Sequence, residues 1–313
     1  MRTSIIGLII ISSLLFMGAT CERPVELSLG NPSPQLVISS DFTAGQNVLV
    51  TVTETQNILE SPAIKFVDDA TVEVFQEDEL LETLTFIPQT NRLPPKYVSN
   101  QFKPQEGETY ILKASAPGFD PIMAQSHVPY PVEISQLFVS NVDLTVNSDA
   151  QNDMTYSYNV QLQFEDPADM VNYYHLNFLQ KVFSFTVLEG DTIIISSSLE
   201  PVSFSPQNNK NTFIAYFLGG VLFEDTEFNG DLITASFNIS ISIDSEAQLL
   251  GPMVAQLRNV SEHYYHYYNS VSRQQTSGND PFSPPVFIDS NVENGKGVFA
   301  GYNQSTDSTL VIN

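Results

Sequence analysis

The sequence predicts a mainly β protein: an N-terminal immunoglobulin-like β-sandwich, followed by a larger antiparallel β-sandwich domain with one α-helix in the C-terminal region. Three observations lead there. Phe and Tyr are plentiful, 21 and 13 among 313 residues, beside many Thr, Val and Ser, a mixture that suits pleated strands. Short apolar runs alternating at period two recur between Gly, Pro and Asn turn signals. One segment, near residue 260, switches to the helical period. The length allows two domains, and 42% hydrophobic residues is enough for each to bury a core.

Residues 1–20 read as a signal peptide. Arg2 precedes an apolar run from Ile5 to Met17, shorter than the roughly 18–20 residues a spanning helix needs. Gly18, Ala19 and Thr20 then lead into Cys21, the only cysteine. The stretch resembles the lipobox of bacterial lipoproteins, although Gly18 stands where Leu is usual and Thr20 where Gly, Ala or Ser is usual. An unpaired thiol in an oxidising compartment is a liability unless consumed, so Cys21 is the expected lipidation site. Several acyl chains, at about 0.8 kcal/mol per buried CH₂, anchor a protein where one is marginal. An ordinary cleavable signal beside a chance cysteine is the alternative. Residues 21–34, rich in Pro, Ser and Gly, make a lipidated tether.

The first sandwich is expected over 35–131. "LVISSDF" (36–42), "NVLVTVTET" (47–55), "ATVEVFQ" (70–76), "ELLETLTFI" (79–87) and "GETYILKASAPGF" (107–119) supply its strands. "HVPYPVEI" (127–134), with two prolines in three residues, reads as a hinge. The second domain, 132–313, has longer strands. Residues 143–167 form a hairpin around a polar turn, and 171–198 continue as strand broken at "EGD". In 232–244, Ile233, Ala235, Phe237, Ile239, Ile241 and Ile243 alternate with mainly Thr, Ser and Asn, the mark of a half-buried strand. A helix at about 260–275 is capped by Asn259 with Glu262 three residues on, and places Val260, Tyr264, Tyr267 and Val271 on one face. The Pro-, Gly- and Asn-rich stretch to residue 303 reads as loop, before a last short strand, "STLVIN".

Twelve Lys and Arg against 36 Asp and Glu give a net charge of −24, which repels phosphate backbones and anionic lipid, so no nucleic-acid partner is expected. His263 and His266 stand i, i+3 beside Glu262, but "EHYYH" is one residue short of H-E-x-x-H and has no Glu after its first His. His127 and His175 have no ligand motif around them. In 147–156, Asn147, Asp149, Gln151 and Asp153 alternate as in a calcium loop, with Asn152 where the Gly belongs and Tyr158 where the bidentate Glu belongs. "GKGVFAG" (295–301) opens no helix, so its glycines serve tight turns or close backbone approach rather than phosphate. With no G-x-S-x-G, no supported S-x-x-K and no singled-out acid pair, neither an enzyme nor a metal or cofactor is expected. Tyr264, Tyr265, Tyr267 and Tyr268 are too many for one buried face, which makes them candidate ligand-binding residues against the alternative that they brace the helix on a sheet.

The C-terminal helix, "PFSPPVF" and a motif carried by Asn291, Asn294, Gly295, Gly297, Phe299 and Gly301 resemble the Bacteroidota outer-membrane lipoprotein family catalogued as domain of unknown function 4249. "VDDATVEVF", "GETYILKASAPGF" and "FEDPADMVNYYHLNF" match its internal landmarks, and Lys296 departs from it. The resemblance implies a lipid anchor in the outer membrane, facing periplasm or exterior, and a TonB-dependent receptor as partner in nutrient uptake. The leading expectation is therefore a non-enzymatic accessory or ligand-capturing lipoprotein of unknown ligand. The alternatives are a structural or adhesive surface lipoprotein and an extracytoplasmic hydrolase.

Overall fold

The computed structural model describes residues 33–56, 63–90, 93–146, 153–168, 170–207, 215–217, 219–226, 228–277, 284 and 286–311. Within them the protein is mainly β. The first strands are β1 (Leu36–Thr43), β2 (Leu49–Glu54), β3 (Thr71–Gln76), β4 (Glu79–Thr83), β5 (Thr85–Ile87), β6 (Lys96–Val98), β7 (Thr109–Ser115) and β8 (Ile122–His127). Longer ones follow: β9 (Ile134–Val146), β10 (Asp153–Glu165), β11 (Tyr173–Leu188) and β12 (Asp191–Pro201). After β13 (Phe204–Pro206), β14 (Ala215–Phe217) and β15 (Gly220–Glu224) come β16 (Leu232–Asp244) and β17 (Gln248–Val260). Helix α1 (Glu262–Ser277), β18 (Val292–Glu293) and β19 (Lys296–Leu310) complete the order.

Ten strands form the largest sheet, in the order β14-β15-β11-β17-β19-β1-β2-β6-β5, with β12 paired to the outer part of β11. A five-stranded sheet, β18-β8-β7-β3-β4, covers one end of it, and a four-stranded sheet, β13-β16-β10-β9, covers the other. The first core joins Ile38, Val50, Val52, Val72, Val74 and Leu112; the second joins Leu162, Phe164, Phe178, Phe237, Ala255 and Leu257. Burying each such side chain contributes about 1.5–3 kcal/mol. The two cores share the large sheet, the first core takes in Val292 and Phe299 from the end of the chain, and the chain from Pro34 onward is one compact unit.

Strand β19 makes the join. It runs parallel to β1 from Val37↔Lys296 to Thr43↔Tyr302, and antiparallel to β17 from Pro252↔Leu310 to Val260↔Tyr302. Phe299 stacks on Phe42 with centroids 4.2 Å apart in the first core, while Val311, just past the strand, enters the second. A loop followed by a short strand was expected here; instead a single 15-residue strand begins at Lys296. Its glycines allow this. A Cβ at Gly297 would stand 1.9 Å from the Ile38 carbonyl oxygen, and one at Gly301 would stand 2.0 Å from that of His127. Glycine in this strand therefore marks close backbone approach rather than a turn.

Three other expectations change. "ELLETLTFI" is two strands, because the chain crosses between sheets at the buried Leu84: β4 pairs with β3, and β5 with β6. The residues of β17, for which no element was expected, form a central strand despite Gly251-Pro252. The missing N–H of Pro252 falls where the register shifts between Gln180 and Val182, and the Gln180 amide donates to the carbonyls of Gly251 (2.7 Å) and Pro252 (3.2 Å). The 127–134 segment is fixed on both sides, as the Asn259 amide donates to the Tyr130 carbonyl (3.0 Å) and the Ser305 hydroxyl to that of Val132 (2.7 Å).

Candidate functional site

The cap of helix α1 lies two residues later than the sequence suggests. Strand β17 continues through Val260, paired to Tyr173, so Asn259 is a strand residue. Ser261 is the cap: its hydroxyl accepts from the Tyr264 N–H (3.3 Å) and its carbonyl from that of Tyr265 (3.1 Å). The helix packs on the sheet face opposite the two cores, where Tyr264 and Tyr265 meet Leu222, Val260, Val298 and Ala300.

The four tyrosines divide. Tyr264 and Tyr265 are 2% and 3% exposed, while Tyr267 and Tyr268 are half-buried. The Tyr264 hydroxyl meets His175 Nδ1 at 2.9 Å and accepts from Arg258 Nη1 at 3.3 Å. Arg258 also donates to Gln304 (2.9 Å) and lies 4.6 Å over the Tyr302 ring. Tyr268 donates to Asp41 Oδ2 at 2.5 Å. Displacement from water by the packed rings pushes the Asp41 carboxyl up to about 6, with the Tyr268 hydroxyl and Arg258 pulling the other way. Solvent at the exposed edge of Asp41 screens part of that shift. Burial raises Tyr264 and Tyr268 well above the usual phenol range and pushes Tyr265 up to about 12, so the hydroxyls stay protonated donors. Of this set only Tyr267 and Tyr268 keep part of their surface exposed.

Three of the four histidines gather at the start of the helix. His263 and His266 line a cavity of about 390 Å³ with Asp289, Ser290 and Asn291; an adjoining one of about 490 Å³ adds His127 and Glu293. Partial burial holds His127 and His263 below the ordinary imidazole value; His263 lowers His127 further, and Glu262 opposes both shifts. His175 lies beneath the helix, 2% exposed. Among the described residues no three His, Cys, Asp or Glu side chains are grouped to hold a metal ion.

A second surface was not singled out from the sequence. On the outer face of the four-stranded sheet lies an open groove of about 450 Å³, lined by Asn141, Asp143, Ser157, Asn159, Asn238 and Ser240 with the serines flanking β13. The amides are tied across three strands: Asn141 donates to Asn159 (2.7 Å), Asn159 to Asn238 (2.7 Å), and Gln207 to Asn238 (3.1 Å). Asn141 reaches the groove because β9 is bulged opposite Ser157 and Asn159, with Asn141 in the left-handed region at φ 52°. The polar half of the β16 alternation was the available signal. What the sequence could not show was that β9 and β10 set matching amides beside it. Cys21 and the calcium-like residues Asn147, Asp149 and Gln151 lie outside the described residues.

A family model described as Domain of unknown function (DUF4249) matches residues 22–308. The chain belongs to that family. No curated protein matches it. Among solved structures, this DUF4249 chain is similar to three N-terminal domains of the bacteriophage RB49 Highly Immunogenic Outer Capsid protein (Hoc), at 14% identity and a TM-score of 0.20. The likeness covers 72% of this chain and 63% of the phage chain, and at that TM-score it supports no further statement. The motif that marks the DUF4249 resemblance is structural here. The Asn291 amide donates to the carbonyls of Gln125 (2.9 Å) and Phe299 (2.8 Å) and accepts from the Phe299 N–H (3.1 Å), fixing β18 and β19 against β8.

Proposed function

We propose that this DUF4249 protein is a non-enzymatic outer-membrane lipoprotein, tethered through Cys21, which docks on a TonB-dependent receptor and holds a ligand at its mouth. Strand β12 supports this reading most. All eleven of its residues are exposed, and it carries Ile193, Ile194 and Ile195 in succession. Val187 and Leu188 of β11, 59% and 61% exposed, extend the patch across the hairpin. Among the described residues β12 pairs only with β11, leaving a row of backbone donors and acceptors on its other edge. An apolar edge strand left open is an aggregation hazard unless a partner covers it. On a chain of net charge −24, such a patch supplies attraction that the acidic surface does not.

Detergent extraction from native membranes, affinity capture and mass spectrometry test the reading. The expected result is a co-purifying outer-membrane barrel, lost with Ile194→Asp and Ile195→Asp while the fold survives. Capture without any barrel, or retention of the barrel by both variants, would refute docking through β12. Concentration-dependent self-association abolished by the same variants would favour the structural or adhesive reading instead.

A further inference from the structure

We propose that the outer face of the β13-β16-β10-β9 sheet is a binding site for a neutral oligosaccharide. The inference deepens the ligand-capture reading above and rests on it for its biological purpose, though the binding itself does not depend on any receptor. The chemistry of the face selects the ligand. In a chain of net charge −24, the four strands of this sheet contain no Lys or Arg, and Asp143 is the one ionised group lining the groove. An anionic ligand would find no counter-charge here and would meet the repulsion of the whole molecule. An apolar ligand would bury amides and hydroxyls without replacing their water, leaving each of them unpaired at a cost. A polyhydroxylated neutral ligand can do both jobs at once, because each sugar hydroxyl donates and accepts.

The groove is also built ahead of its ligand. The cross-strand bonds engage Asn141 Nδ2, both ends of the Asn159 amide and Asn238 Oδ1, which fixes the amide planes while the exposed Asn141 and Asn238 keep a carbonyl oxygen and an NH₂ for a ligand. This matters, because rotamers fixed beforehand need not be frozen on binding. The bulge at Asn141 imposes a left-handed backbone on a non-glycine residue, a cost with no return in either core and a direct return in the groove. Phe138 completes the site. It is 49% exposed on the same face, paired to Gln161 two residues along β10 from Asn159. An exposed aromatic ring beside amides suits a sugar, whose C–H face stacks on the ring while its hydroxyl rim meets the amides. A volume of about 450 Å³ accommodates a short oligosaccharide.

The test is isothermal titration calorimetry of the soluble Cys21→Ser protein with maltohexaose, laminarihexaose, mannohexaose and galactohexaose, beside hexagalacturonate as the anionic control. At least one neutral hexasaccharide is expected to bind and the galacturonate not to bind. Phe138→Ala and Asn238→Asp alter exposed side chains, so the fold should persist by circular dichroism; each is expected to weaken binding about tenfold or more. No binding of any neutral hexasaccharide at millimolar concentration overturns the proposal, as does binding unaffected by both variants or a preference for galacturonate. Failure of receptor co-purification with sugar binding intact would sink the docking reading alone, and the converse would sink this one alone.

Discussion

Gly297 sits at φ 106° with the Ile38 carbonyl where its Cβ would be, so Gly297→Ala must push β19 off β1. The expected loss is about 2–4 kcal/mol, measured by urea denaturation, with Gly301→Ala behaving alike. This much was half legible, since the glycines in "GKGVFAG", which open no helix, pointed to tight turns or close backbone approach, and the structure shows the second. Asp41 was not legible, because the Tyr268 that bonds it is 227 residues away. Its folded-state carboxyl binds a proton more readily than the unfolded one, so its contribution to stability is fully present below about pH 4 and is lost as pH rises through about 6. Asp41→Asn keeps the acceptor for Tyr268 without the charge. Melting temperatures should agree near pH 4, diverge in favour of the variant as pH rises to about 6, and keep a constant gap above it. A gap that does not vary with pH would show the carboxyl to be unshifted. His127 and His263 work in the opposite sense: held low, they oppose folding as pH falls through their folded-state values.

At the level of elements, alternation located strands well and helix caps poorly. The period-two run of β16 appears residue for residue, pairing with β10 from Asp153↔Asp244 to Glu165↔Leu232. Strand β17 was not expected; its Gly251-Pro252 is tolerated in a central strand because both residues oppose Lys181 alone in a bulge of β17, a register that depends on the partner strand. The helix cap was misplaced by two residues for a related reason: pairing to β11 holds Asn259 and Val260 extended, and tertiary pairing overrides a local signal. Ser261→Ala removes the cap and the bond from Ser126 (3.1 Å), so a loss of about 1–2 kcal/mol is expected by chemical denaturation. Because α1 touches the sheet through Tyr264 and Tyr265, the same variant should raise hydrogen exchange along the first turn before any strand responds. The groove escaped sequence reading because its third amide, Asn238, lies 79 residues from Asn159 and because Asn141 reaches it only through the bulge in β9.

For the whole molecule, the address and the architecture can be tested apart. Cys21→Ser should abolish fatty-acid labelling and release the protein from membranes; a variant that stays bound, beside a wild type taking up no label, would remove the anchor from the account. The shared sheet predicts that both cores unfold together. Phe299→Ala, removing the ring stacked on Phe42, should cost about 3–5 kcal/mol and lower protection equally at Leu112 and Leu162, one from each core. Protection retained at Leu162 alone would mean that the sandwiches open independently. The two-sandwich plan was readable from strand lengths and turn spacing. Their fusion was not, since it depends on a parallel pairing of β1 with a strand some 260 residues later. That pairing gives the chain a timetable. During synthesis β1 emerges some 260 residues before its parallel neighbour, so the first sandwich must wait with one edge open. The first sandwich therefore stays incomplete until β19 is made, and the strand that completes it joins β17 of the second in the same pairing event.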